Sequence, residues 1–224
     1  LSIDLGPSPE KKFSKDYQSG ALSFEIFFNN NKLVTNCGYF QNYKHQLNSI
    51  SKSTATHSTL ILDSRSSCKL KKDTDGILKV NQDLKVSKKF IVSEKNYWSI
   101  TGSHDGYVKK YGVTHERKIE YFFDKYKFLG TDKLLKKKKF KSSNFEIRFH
   151  FEPGVKITKT QDEKSILIEL ENSGWKFSCK GHKIDVETGL YLGKKNSFVE
   201  NQNIFISGNT LNENQEIIWE IIKI

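Results

Sequence analysis

An all-β architecture, a large antiparallel β-sandwich with little or no helix, is the fold class this sequence predicts, and three observations carry it. Short apolar runs with period-two or continuous patterning recur along the chain. Gly, Asn and Asp turns separate them at short intervals, which is the rhythm of a sandwich or barrel rather than of βαβ units. No stretch longer than two turns carries helical periodicity.

Taken in order, the chain opens on a strand-like run over residues 1–5, followed by a connecting loop over 6–19 that holds two of the three prolines and several lysines. Strands are then expected over residues 21–28 and 32–36, with Asn29, Asn30 and Asn31 between them as a hairpin loop. The next apolar runs cover residues 58–63, 89–92, 98–102 and 108–125, and the Asp73 to Gly76 segment reads as a turn. The remaining strands are expected over 145–151, 156–160, 165–169, 174–179, 183–188, 203–207 and 216–224, with Pro153-Gly154 as a reversal. No internal repeat is found. At 224 residues, with 16 Phe and 9 Tyr, the chain has material for one sizeable core, and residues 1–224 are read as a single domain.

The net charge of +11 favours polyanionic partners, whether acidic polysaccharide, nucleic acid or an anionic surface. Only Arg65, Arg117 and Arg148 are arginines, so the excess is lysine and is equally compatible with compositional drift. The densest run, Lys136 to Lys141 interrupted by Phe140, reads either as a polyanion-contacting segment or as a solvated hairpin tip. Cys37, Cys68 and Cys179 are odd in number and widely spaced, which points to three reduced thiols, at least two of them buried, and away from a disulfide framework or cysteine zinc site. No apolar run approaches the roughly 18 residues needed to span a bilayer. With no Met and a strand-like start, the sequence is expected to be a piece of a longer chain, so no compartment is read from its N-terminus.

Three segments mix titratable residues into apolar strands: Asp16 to Glu25, Leu33 to Gly38, and Ser53 to Asp63. In order and spacing they resemble the C-terminal domain of heparinase II/III-like polysaccharide lyases, where an HxHxD-like stretch precedes a Leu-Ser-Phe-Glu strand. In that family a Val-Asp-x-Gly segment follows, and then Thr-Ala-x-His-Asn-Thr. The likeness continues through Ser103 to Tyr107, Tyr111 to Arg117, Arg148 to His150 with Pro153, Gly174 to Phe177, Tyr191 to Gly193 and the closing strand with Trp219. The resemblance implies the sandwich fold and an N-terminal helical toroid in the same chain. It also implies that the full-length protein is a carbon–oxygen lyase cleaving uronic-acid-containing polysaccharide by β-elimination, with the acid/base Tyr and its Asn or His partner chiefly on the toroid.

Carried over residue by residue, the family's zinc positions fall on Gln18, Asn36 and His57, and its first His falls on Asp16. One imidazole and two amides match zinc preferences poorly, so no bound zinc and no other cofactor is expected, and the three side chains are expected to hydrogen-bond to one another instead. His57, with Asp16, is the candidate catalytic residue; a lone His beside a strand is as readily structural. His104 and Tyr107, His115 and Arg117 sharing one strand face, and Arg148 two residues from His150 are candidate substrate contacts. Cross-strand ladder pairing is the alternative for the last two pairs, and a structural role orienting a loop, with Asp105, is the favoured alternative for His104 and Tyr107. The substitutions at Asp16, Gln18 and Asn36 keep a second function open, a non-catalytic acidic-glycan-binding module. General polyanion binding ranks last, since stacking and DNA-reading motifs are missing, and nucleic acid is not an expected partner. The family context points to the periplasm or cell envelope, with the cytoplasm as the alternative.

Overall fold

The computed structural model describes residues 1–194 and 197–224 and shows the expected all-β sandwich. A small antiparallel sheet is built from β1 (Ser2–Ile3), β2 (Phe24–Phe28) and β3 (Asn31–Val34). After the six-residue helix α1 (Gln46–Ser51) come β4 (Leu60–Leu62) and a lysine-rich two-stranded ribbon of β5 (Lys69–Lys72) and β6 (Leu78–Gln82). Next are β7 (Val86–Glu94), β8 (Tyr97–His104), the single turn α2 (Val108–Tyr111), β9 (Val113–Phe122) and β10 (Lys127–Lys136). β11 (Asn144–His150), β12 (Lys156–Lys159), β13 (Ser165–Leu170), β14 (Ser173–Cys179), β15 (Lys183–Tyr191), β16 (Val199–Asn209) and β17 (Gln215–Lys223) complete the chain.

The main layer is an eight-stranded sheet ordered β12-β13-β14-β17-β10-β9-β8-β7, and the facing layer is β15-β16-β11-β4. Between them lies one aromatic core. Trp219 of β17 stacks on Phe24 of β2 at 5.5 Å and meets Phe149 of β11 edge-on at 4.9 Å, and Phe149 meets Phe177 of β14 at 4.8 Å. Offset and edge contacts of this kind add to the area the rings remove from water. A bridge between Thr35 and His150 ties the small sheet to the end of β11, which brings the three polar segments together.

Several boundaries differ from the sequence reading. Residues 108–125 are not one strand: α2 ends at Gly112, whose φ of +64° only glycine adopts without strain, and β9 begins at the next residue. β5, β6 and β10 escape the apolar pattern, the first two through their lysines and β10 through an inward Gly130 and Asp132. Residues 6–19 contain no strand and one 3-10 turn, Lys11–Phe13. The lysine run at 136–141 is an exposed crossover between the two layers rather than a hairpin tip, as β10 and β11 belong to different sheets. All three thiols are free and buried, and burial pushes Cys37 and Cys179 up to about 12. No helix among the described residues is long and apolar enough to cross a membrane. Edge strand β7 is exposed along most of its length, including Phe90, Ile91 and Val92.

Candidate functional site

The segments flagged in the sequence converge at one corner of the sandwich. His57 sits just after the 3-10 turn Thr54–Thr56. Its Nδ1 lies 2.9 Å from the Ser53 carbonyl, and its Nε2 lies 3.0 Å from the Gln18 side-chain amide. Burial holds the imidazole down at about 4, against the opposing pull of the Ser53 carbonyl and the Glu25 charge, so the ring is neutral near pH 7. A neutral ring that donates from Nδ1 to Ser53 has an acceptor at Nε2. Gln18 Oε1 stands 3.0 Å from it, and exchanging the oxygen and nitrogen of this amide gives Nε2 the NH2 donor it needs.

Asn36 is anchored just as firmly. Its Oδ1 accepts from the Ser58 backbone N–H at 2.8 Å, and its backbone N–H and Nδ2 both reach Glu25 Oε1, at 3.2 and 3.4 Å. Glu25 also accepts from Thr35 and pairs with Lys32 at 3.3 Å. The expected contact between Gln18 and His57 is therefore present, whereas Asn36 bonds to the backbone beside His57 and to Glu25. Asp16 is exposed on the same corner and accepts from the Tyr39 hydroxyl at 3.0 Å. Asp16, Tyr39, Lys15, Gln41 and Tyr43 line an open concavity of about 450 Å³.

Set against zinc, this donor set does not fit. A zinc site wants anionic or imidazole donors converging on one point. Here both nitrogens of His57 and the Asn36 carbonyl oxygen are committed to protein groups.

Behind His57 lies a second polar layer that the sequence did not reveal as a unit. His104 of β8 stands opposite His115 of β9, and Arg117 of β9 opposite Asp132 of β10. The proton positions follow from the partners. The Gly106 N–H donates to His104 Nδ1 (3.2 Å), so His104 Nε2–H donates to His115 Nδ1 (3.1 Å), and His115 Nε2–H donates to Asp132 Oδ1 (2.6 Å). Both imidazoles are neutral in this chain, in keeping with burial lowering both pKa values. Burial alone would raise the Asp132 carboxyl. Arg117, bidentate at 2.7 and 3.0 Å, and His115 overcome that and hold it well below the usual carboxylate range. Trp219 Nε1 donates to the other carboxylate oxygen at 2.8 Å.

Arg117 also donates from one terminal nitrogen to the carbonyls of Ser58 (2.8 Å) and Leu22 (3.0 Å). The Ser58 hydroxyl donates to the Thr35 carbonyl and accepts from the His150 N–H. Every polar group of Ser58 is thereby tied down, and the imidazole next to it inherits a fixed position.

His104, Tyr107, His115 and Arg117, named from the sequence as candidate substrate contacts with structural alternatives, are packed inward in this structure. All four are at most 1% exposed, and inward pairing accounts for their polar atoms. His115 and Arg117 do share a face, but it is the face turned into the sandwich. Tyr107 donates to the Leu60 carbonyl at 3.0 Å. Arg148 is partly accessible and engaged in the ladder alternative, with ion pairs to Glu146 and Glu187. His150 is buried against Cys37 and Asn203, at 3.1 and 2.9 Å. Sequence reasoning missed Tyr39 and Asp132, and left Glu25 and Ser53 unassigned although they close the first and open the third flagged segment. An inward charge on an alternating strand is the signal that finds Asp132.

Residues 1–220 match the family model described as heparinase II/III-like, C-terminal. Among solved structures, a mutant of heparan sulfate lyase HepC from Pedobacter heparinus superposes with a TM-score of 0.78 at 14% identity, over 99% of this chain and 32% of that one. A heparinase III gene product gives a TM-score of 0.73 at 17% identity, over 92% of this chain and 30% of that one. The chain thus spans about a third of the length of these structures. No curated protein matches it.

Proposed function

The chain belongs to the heparinase II/III-like family as its C-terminal domain, and from that premise we propose that it forms one wall of the cleft of a polysaccharide lyase that acts with an N-terminal helical toroid on uronic-acid-containing polysaccharide. One observation carries the reading: the positions onto which the family's site residues fall, Asp16, Gln18, Asn36 and His57, of which His57 alone keeps the family's residue, lie at a single corner beside an open concavity. A net charge of +11 favours an anionic chain.

β-Elimination removes the proton alpha to a uronate carboxylate, needs that carboxylate's charge offset, and protonates the leaving oxygen. A neutral His57 supplies no positive charge at pH 7. Its available contribution is a hydrogen bond, or proton acceptance at Nε2 once Gln18 moves aside. Lys15 lines the concavity and is the cation placed to offset a carboxylate there. We also propose that the domain works without zinc, given its donor set.

The test is ultraviolet absorbance of unsaturated uronate product, using the intact protein with heparin, heparan sulfate, hyaluronan and alginate. Product that His57→Ala abolishes, while Asp16→Asn alters KM or kcat, supports the reading. The commitment of both His57 nitrogens favours a second reading, a non-catalytic acidic-glycan-binding module. Saturable binding with no product on any of the four polymers decides for it.

A further inference from the structure

A cavity of about 770 Å³ lies between the end of α1, the loop leading into β5, strand β6 and α2. Of the residues around His57 and Asp16 it shares Ser53 and Lys52. Its volume is in the range of roughly 300–1,000 Å³ typical of small-ligand sites.

Its lining is cationic. Arg65, Lys69, Lys109 and Lys110 border it with Lys52, and no Asp or Glu does. None of these five forms an ion pair among the described residues. Lys52 is 1% exposed and donates only to the backbone carbonyls of Lys15 and Leu78. Desolvation lowers the Lys52 pKa against the opposing pull of Asp16, and a bound anion removes part of the cost of burying the charge. Lys110 is held below its ordinary value by desolvation first, then by Arg65 and Lys141, with Asp63 opposing them. Asp63 is outside the lining and accepts from the Asn144 N–H at 2.9 Å.

A second observation is independent of charge. Tyr111 lines the cavity, is 1% exposed, and its hydroxyl has no hydrogen-bond partner. Burial and the nearby Asp63 raise the Tyr111 pKa, so the hydroxyl keeps its proton and can donate it to a ligand oxygen at the cavity wall. The rest of the polar lining, including Ser49, Ser66 and Gln82, suits sugar hydroxyls. Both lining tyrosines are buried, which leaves no exposed ring on which a nucleobase could stack.

We infer that this cavity is a second binding site, separate from the His57 corner, for a short stretch of anionic oligosaccharide whose sulfate or carboxylate groups are held by Arg65, Lys69, Lys109 and Lys110. It gives the domain a hold on a polyanionic chain at a distance from the point of chemistry, whether or not the His57 corner is catalytic.

The experiment is calorimetric titration of the intact protein with a heparin hexasaccharide, and with a hyaluronan hexasaccharide that carries carboxylates alone. Lys109→Glu/Lys110→Glu, at two exposed positions, is expected to weaken the cavity's binding at least tenfold. Lys137→Glu/Lys138→Glu, which changes the charge equally at the exposed crossover, is expected to change it less than twofold. Tyr111→Phe, which removes only the orphaned hydroxyl, is expected to weaken it two- to fivefold. Preference for the heparin fragment assigns the site to sulfate, and equal affinity assigns it to carboxylate. His57→Ala leaves this binding intact, so loss of product and loss of the second site are read separately. The inference is overturned if the crossover variant weakens binding as much as the Lys109/Lys110 variant, if the latter binds like the parent, or if a single-stranded DNA oligonucleotide of matched charge binds as tightly.

Discussion

His57 and three other buried histidines carry a pH signature. Burial holds His57 at about 4 and His150 at about 3, and lowers His104 and His115 as well. In the unfolded chain each titrates near its ordinary value of about 6.5. Between roughly pH 6.5 and 4 the unfolded state therefore binds protons that the folded state refuses, and stability falls as the pH falls through that window. Each such histidine contributes a slope of about 1.4 kcal/mol per pH unit where it is fully in play. Urea midpoints taken from about pH 7.5 down to 4.5 should fall steadily, and His57→Gln should make the decline shallower by about one proton. A flat profile would show that the imidazoles are not buried as neutral groups. The zinc argument is also testable at single residues: the Gln18→His/Asn36→Asp variant should retain about one zinc per chain by elemental analysis after dialysis, and the parent none. The identities and order of Asp16, Gln18, Asn36 and His57 were legible in the sequence. Their partners were not, because Ser53 and Ser58 act through backbone groups that every residue possesses.

At the scale of elements, three adjacent strands hold an ionic rung inside an apolar layer. β8, β9 and β10 bring His104, His115, Arg117 and Asp132 into line, all at most 1% exposed. Asp132→Asn leaves the Arg117 guanidinium buried without its counter-charge and should cost about 3–5 kcal/mol in chemical denaturation. A cost below about 1 kcal/mol would mean that the rung is hydrated and loosely held. Two residues before Asp132 on the same strand, Gly130 lies against the indole of Trp219, where an added Cβ would come within 2.0 Å of the ring. Gly130→Ala should therefore destabilise by about 1–3 kcal/mol, visible as a lowered Tm. Most strands could be read from alternation alone. β10 could not, since Gly and Asp are depleted in strands and these two are tolerated only because Trp219 and Arg117 fill and neutralise the space around them. The pairing of His115 with Arg117 on one face was legible too. Which face met solvent was not, because that depends on the neighbouring strands on either side.

On the scale of the whole molecule, two layers of unequal size leave the larger sheet unfinished. Among the described residues its last strand, β7, is hydrogen-bonded on one side only, to β8, and it presents Phe90, Ile91 and Val92 at 62, 72 and 43% exposure. Open edges with apolar side chains pair readily with other strands. Lys88 and Lys89, beside an irregularity in the β7–β8 register, oppose this with charge and a local twist. Sedimentation at rising protein concentration should show self-association of the isolated 224-residue chain, and Ile91→Lys should suppress it without lowering the Tm. Strictly monomeric behaviour of the parent would mean that the two lysines suffice. The margin is also where the molecule is open to extension. A strand arriving at β7 would lengthen the eight-stranded sheet without disturbing the aromatic core or the ionic rung. The seam would be chosen by backbone register more than by side-chain shape, so its occupant could change in the course of evolution while the rest of the domain stayed as it is.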